Sequence, residues 1–196
     1  QVPVYYNCLN TGRPKGHEDN DFRFLSKYLD IPNAPFYPFG YGLSYTEYTY
    51  SDAALIGDTL TPGGSVKAMV TVQNTGDYAG EEIVQMYVRD LWGSTSRPLL
   101  ELKGFHKIHL APGEKATVEF VIEPEMLSYF TAKKQYEVEE GDFKVFVGKN
   151  ARDLIECGTF TYTLYTENWR GCPTSHPYGF GRASVFYFAI QKAASS

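Results

Sequence analysis

A chain of 196 residues with a formal net charge of -5 has room for one larger domain, or for a domain of about 100–150 residues with attached segments. Its 18 Lys and Arg are scattered rather than gathered into the basic stripe that neutralises a phosphate backbone, so nucleic acid is not an expected partner. No apolar run approaches the roughly 20 residues that cross a bilayer as a helix, so no membrane partner is expected and the chain is read as soluble.

In chain order, Gln1-Val2-Pro3-Val4 lacks both Met and a signal-peptide pattern, and the beginning reads as trimmed. Residues 2–8 are apolar and strand-like. A polar, Gly- and charge-rich stretch follows through Asp21, then a short segment at 22–29 and a proline-rich approach to Gly40. Residues 1–39 are expected to form a linker with one strand separated from its sheet.

Residues 33–50 are dense in aromatics, with Phe36, Tyr37, Phe39, Tyr41 and Tyr45 set among Pro35, Pro38, Gly40 and Gly42. Two uses fit. Aromatic faces stack on a pyranose while Asn33 or a Tyr hydroxyl binds its rim. Alternatively, prolines stiffen the backbone, glycines allow tight turns, and rings bury area at low entropy cost, which describes a rigid connector docked on a neighbour. Docking is the favoured reading, with Phe36, Tyr37, Phe39, Tyr41 and Tyr45 as its contact residues and several of their rings left exposed.

From about Tyr45 the apolar period is two, broken by turn residues every ten or so positions. Strands are expected over 45–56, 65–73 (Val66, Ala68, Val70, Val72 on one face), 81–89, 99–110, 115–122, 135–139, 142–147 and 155–162. Residues 81–89 carry Ile83, Gln85 and Tyr87 on one face and Val84, Met86 and Val88 on the other, as a central strand covered on both sides would. Gly104 marks a bulge or close backbone approach. Pro124 closes the strand at 115–122, since proline cannot donate to a ladder. Residues 163–196 match neither this pattern nor any motif.

The three cysteines, Cys8, Cys157 and Cys172, include no CxxC pair that could start a zinc site. One disulfide with one free thiol and three buried reduced thiols both fit. No G-x-S-x-G elbow is present, and Gly40-Tyr41-Gly42 fails the G-x-G-x-x-G pattern at Tyr45. His106 and His109 fall on opposite faces of a strand and cannot grip one metal together. Glu81-Glu82 and Glu139-Glu140 are adjacent, so a strand turns their carboxylates apart, whereas glycoside hydrolysis needs two facing carboxyls at about 5–9 Å. No catalytic, cofactor-binding or metal-binding residue is expected.

Several ordered motifs then agree with a known family. Asn10-Thr11-Gly12-Arg13-Pro14, Tyr28-Leu29-Asp30 and Phe36-Tyr37-Pro38-Phe39-Gly40-Tyr41-Gly42-Leu43-Ser44-Tyr45 come first. Val72-Gln73-Asn74-Thr75-Gly76, Gly80-Glu81-Glu82-Ile83-Val84-Gln85-Met86-Tyr87-Val88, Arg97-Pro98 with Leu102-Lys103-Gly104-Phe105, and Val138-Glu139-Glu140-Gly141-Asp142-Phe143 with Val147-Gly148 follow. Over residues 1–162 the chain resembles the end of family 3 glycoside hydrolases of the β-glucosidase and β-xylosidase type.

The resemblance implies a TIM-like barrel and an α/β sandwich domain upstream, both partners of this chain within one polypeptide, with the catalytic Asp and Glu also upstream. Residues 1–8 would be the last strand of the α/β domain. The fold is therefore expected to be all-β: an antiparallel two-sheet immunoglobulin/fibronectin type III-like sandwich over residues 40–162. Residues 1–39 are its linker and residues 163–196 a tail outside the resemblance. The expected function is an accessory docking domain of a periplasmic or extracellular enzyme acting on β-linked oligosaccharides, itself inactive and needing no cofactor. The rival is an independent carbohydrate-binding or cell-surface adhesion module, consistent with the 16 Tyr and 2 Trp and with a fold that often serves recognition.

Overall fold

The computed structural model describes residues 4–9, 28 and 30–164. Its strands are β1 (Tyr48–Ile56), β2 (Thr59–Leu60), β3 (Val66–Asn74), β4 (Gly80–Asp90), β5 (Glu101–Leu110), β6 (Lys115–Ile122), β7 (Tyr129–Phe130), β8 (Tyr136–Glu137), β9 (Gly141–Gly148) and β10 (Leu154–Tyr162). They form a three-stranded sheet in the order β1-β3-β6, a five-stranded sheet in the order β2-β10-β9-β4-β5, and the small pair β7-β8. The fold is all-β, a two-sheet sandwich. Among the described residues the only helical turn is the 3-10 segment Pro124–Leu127, which starts at the proline that ends β6.

Alternation makes the core. β3 buries Val66, Ala68, Val70 and Val72, β6 buries Val118, Phe120 and Ile122, and these face Val84, Met86 and Val88 of β4 with Phe143, Val145 and Val147 of β9. Because successive side chains in a strand point to opposite faces, one apolar residue in two is enough to fill the space between the sheets. Phe143 and Phe160 stack there with ring centroids 5.4 Å apart.

Bulges occur where the chain must bend. The register of β4 against β5 shifts between Met86 and Tyr87, opposite Gly104 and Leu102, and a Cβ on Gly104 would lie 3.3 Å from the Phe120 ring. The expected close approach is thus to the facing sheet. β1 carries its own shift between Ser51 and Ala54, with Asp52 at a φ of 52°.

Several boundaries differ from the sequence reading. β1 starts at Tyr48 rather than Tyr45, because the Glu47 carbonyl accepts from Thr75 N–H at 2.8 Å and the ladder to β3 begins beyond it. The strand expected over 135–139 shrinks to Tyr136–Glu137, whose partner β7 is two residues long. The two-residue β2 runs parallel to β10 inside an otherwise antiparallel arrangement. After β1 the chain turns at Gly57, φ 92°, and changes sheets, so β2 reaches the edge of the second sheet in the same direction as β10.

The strand expected at 2–8 is absent over its described part. Residues 5–8 form a turn closed by Cys8 N–H to Tyr5 O at 3.3 Å, and Leu9 makes a single antiparallel bridge to Pro98. A strand without a ladder leaves its backbone groups unpaired, and this segment satisfies some of them locally instead. The segment expected at 22–29, apart from Tyr28, and the tail beyond Leu164 lie outside the described residues.

One polar side chain ties the turns at one end of the sandwich together. Asn74 is fully buried. Its Oδ1 accepts from Thr46 Oγ1 at 2.6 Å and Gly76 N–H at 3.1 Å, while its Nδ2 donates to Tyr78 O at 2.7 Å and Leu110 O at 3.0 Å. All its capacity is used inside the protein, so truncation leaves several buried groups unpaired. Asn74→Ala is expected to lower stability by roughly 2–4 kcal/mol in urea unfolding, with the m-value unchanged; a loss below roughly 0.5 kcal/mol would contradict this role.

Candidate domain-docking surface

Neither acidic doublet is a catalytic pair. On β4, Glu81 meets Lys107 of β5 at 2.5 Å, whereas Glu82 turns inward and accepts from the Tyr50 hydroxyl at 2.8 Å. The hydrogen bond from Lys107 holds the Glu81 carboxyl below its usual range; burial pushes that of Glu82 up. Glu139 accepts from Ser94 N–H at 2.7 Å and Glu140 from Leu164 N–H at 2.8 Å.

His106 packs against the Phe120 ring at 4.9 Å, while His109 lies opposite Glu81 in register. No group of three or more His, Cys, Asp or Glu able to hold a metal occurs among the described residues. Cys157 sits where β10 shifts register against β9, and burial pushes its thiol up to about 11; such a thiol is a poor nucleophile at neutral pH. Cys8 is likewise free of any disulfide, and Cys172 lies outside the described residues.

The aromatic connector is a different case. Its backbone is fixed to the outer face of the five-stranded sheet. Ala151 N–H donates to Phe39 O at 2.9 Å, Tyr41 N–H to Pro38 O at 3.0 Å, and Arg152 donates to Pro35 O. Gln85, on the outward face of β4, donates through Nε2 to Lys149 O at 2.9 Å and to Gly40 O at 3.5 Å, and its Oε1 accepts from the Tyr87 hydroxyl at 2.5 Å. Gly40 has a φ of 79°, and any Cβ there would collide with the Gln85 amide. Only glycine lets the connector pass this close.

The Tyr6 ring links the connector to Tyr87. Tyr6 stacks on Phe39 with centroids 4.5 Å apart and meets Tyr87 edge-on at 5.7 Å; Tyr87 is fully buried, which pushes its phenol up to about 12. The connector is thus partly covered: Pro38 is buried and Phe39 is half-exposed.

The other rings point away. Phe36 is 84% and Tyr45 97% exposed, and Tyr37 and Tyr41 are exposed as well. Phe36 packs edge-on to Tyr37 at 4.8 Å and Tyr37 lies 5.1 Å from Tyr41, forming a continuous ridge. The structure adds residues that the sequence reading did not single out: Leu43, and on the same sheet face Ile83 and Phe105, all exposed. Phe105 stands directly across from Gln85, beside the pinned connector. The alternation of β4 hinted at Ile83; nothing local marked Phe105. Asn33, the candidate sugar-rim residue, instead accepts from Tyr28 N–H at 2.7 Å.

A second rigid feature is the loop at residues 91–100 between β4 and β5. Arg97, largely buried, donates to Asp90 at 3.1 Å and to Glu101 at 2.8 Å, and its guanidinium lies 3.8 Å above the Tyr129 ring. Lys103 reaches Glu101 at 2.7 Å. Burial pushes the Asp90 carboxyl up despite Arg97, and removing one partner of such a buried cluster costs about 3–5 kcal/mol because the others are left uncompensated.

Comparison with known proteins follows this geometry. A family model described as a fibronectin type III-like domain matches residues 82–151. A periplasmic beta-glucosidase of Salmonella typhimurium is 49% identical over 82% of this chain, and a putative beta-xylosidase of Formosa agariphila is 39% identical over 78%. A crystal structure of a beta-glucosidase from Listeria innocua in complex with gluconolactone superimposes with a TM-score of 0.76 at 41% identity, over 84% of this chain. The chain spans only about a fifth of each: 21% and 19% of the two relatives and 22% of the solved chain.

Gln85→Ala removes the side chain that holds Gly40 and Lys149 and orphans the Tyr87 hydroxyl. It is expected to cost about 1–3 kcal/mol and to raise amide hydrogen exchange over residues 39–42 more than in the core strands. Unchanged exchange at those amides would show that the connector is held by something else.

Proposed function

The chain corresponds to the C-terminal, fibronectin type III-like region of family 3 glycoside hydrolases, and from that premise we propose that it is a docking domain that holds the catalytic part of a β-glucosidase-type enzyme in place. The observation that carries this reading is the ridge of Phe36, Tyr37 and Tyr41. Its backbone is pinned to the sandwich while its rings stay exposed. Exposed contiguous apolar surface on an otherwise closed domain marks a place where another surface belongs. A pinned backbone has already met most of the ordering cost, so the rings can be buried with little further entropy loss.

The partner is the α/β and barrel portion of the same polypeptide, consistent with relatives about five times as long as the matched region. The complete protein hydrolyses β-linked glucosides or related oligosaccharides by a retaining mechanism whose two carboxylates lie outside this chain. The divergent orientations of Glu81, Glu82, Glu139 and Glu140 support that assignment. The name of the Salmonella typhimurium relative favours the periplasm, or the outside of the cell, as its location.

Two measurements test the reading. Alone, the chain is expected to show no turnover of aryl β-glucosides or β-xylosides at high protein concentration; turnover lost on mutating one of its own carboxylates would overturn the assignment. Phe36→Ala should leave the stability of this chain nearly unchanged but destabilise the complete polypeptide by roughly 2–3 kcal/mol, the transfer value of one buried aromatic ring. Equal effects in both, or saturable calorimetric binding of cello-oligosaccharides by the chain alone, would favour an independent carbohydrate-binding module instead.

A further inference from the structure

Outside the connector, the loop at residues 91–100 combines rigidity with an apolar group left largely exposed by the described residues. Trp92 is 78% exposed, although its own N–H donates to Asp90 at 3.1 Å and its neighbour Leu91 N–H donates to Asp142 O at 3.1 Å. Ser94 N–H is held by Glu139 at 2.7 Å and Ser94 Oγ lies 3.2 Å from the Tyr129 hydroxyl. Below it, Arg97 links Asp90 to Glu101. An open cleft of about 370 Å³ runs along residues 89–99. The loop backbone is braced while its indole stays exposed.

Who covers Trp92 is indicated by its surroundings. Leu99 N–H donates to Cys8 O at 2.9 Å and Leu9 bridges Pro98, so the loop is joined to the segment through which the chain enters from its N-terminal side. That same segment carries Tyr6 over Phe39 and Tyr87, which makes the loop continuous with the connector surface. A sugar is disfavoured as occupant because Ser94, Thr95 and Ser96 are all engaged within the chain. A saccharide site needs convergent polar groups left free for hydroxyls. An indole seated against a protein surface needs none.

We propose that residues 91–96, with Trp92 as the anchor, form a second docking contact, which seats on an apolar surface of the N-terminal part of the same polypeptide beside the point where residues 4–9 reach the sandwich. It rests on the docking reading above and extends it: the catalytic part is gripped at two places, the aromatic ridge and this braced loop. Aromatic anchors on rigid supports are the usual centres of binding energy.

Hydroxyl-radical footprinting read by mass spectrometry compares Trp92 in the 196-residue chain with Trp92 in the complete polypeptide, using Tyr37 and Tyr41 as internal references. The expected result is rapid modification of all three in the chain and several-fold slower modification of all three in the complete polypeptide. If Tyr37 and Tyr41 are protected but Trp92 reacts equally in both, the second contact is overturned and the ridge stands. If none of the three is protected, the docking reading itself falls and this one with it. Protection of Trp92 in the chain that grows with its concentration would give the site to a second copy. Protection that appears on adding cello-oligosaccharides would give it to a glycan, and either outcome overturns the proposal.

Discussion

The structure depends on one constraint: β4 is a central strand with large side chains on both faces, so both faces must be covered. The inner face meets the three-stranded sheet through Val84, Met86 and Val88. The outer face carries Gln85 and Tyr87, both buried, and among the described residues no second sheet lies over them. The chain covers it with its own connector and entry segment, through Phe39, Gly40 and Tyr6. Polar groups under such a cover need partners. The Gln85 amide finds them in the connector carbonyl, the Lys149 carbonyl and the Tyr87 hydroxyl.

That solution accounts for a connector that is ordered yet still exposes several rings. Pro38 is buried and Phe39 stacks on Tyr6, which meets Tyr87 edge-on, whereas Phe36, Tyr37 and Tyr41 stay exposed. Position along a chain and exposure in the fold are coupled here through one glycine: Gly40 at positive φ permits the close pass over Gln85. A side chain at that position would collide with the Gln85 amide.

Polar networks brace the two regions beyond the core. Asn74 joins the β3–β4 turn to Thr46, immediately before β1, and to the end of β5. Arg97 holds the β4–β5 loop to Asp90, Glu101 and Tyr129. Neither network contributes chemistry in the catalytic sense. Each converts a connecting segment, ordinarily the mobile part of a domain, into a surface of fixed shape.

Much of this was legible in the residues. Period-two alternation assigned the core positions of β3, β4, β6 and β9 because the side-chain direction of a strand is a property of the backbone alone. The same rule separated Glu81 from Glu82 without any structure, and the density of Pro, Gly and aromatic residues marked the connector. Other features were decided only by through-space pairing. The two-residue β2 and β7 are too short to carry a period, the entry segment at residues 5–8 turns because it has no ladder to join, and Phe105 enters the exposed face only because the β4–β5 register sets it across from Gln85. Nothing in the sequence reading joined Arg97 to Asp90, Glu101 and Tyr129, which tertiary packing gathers into one cluster. Local alternation follows from bonds along the chain, whereas register, cover and burial depend on which distant segments come to lie side by side.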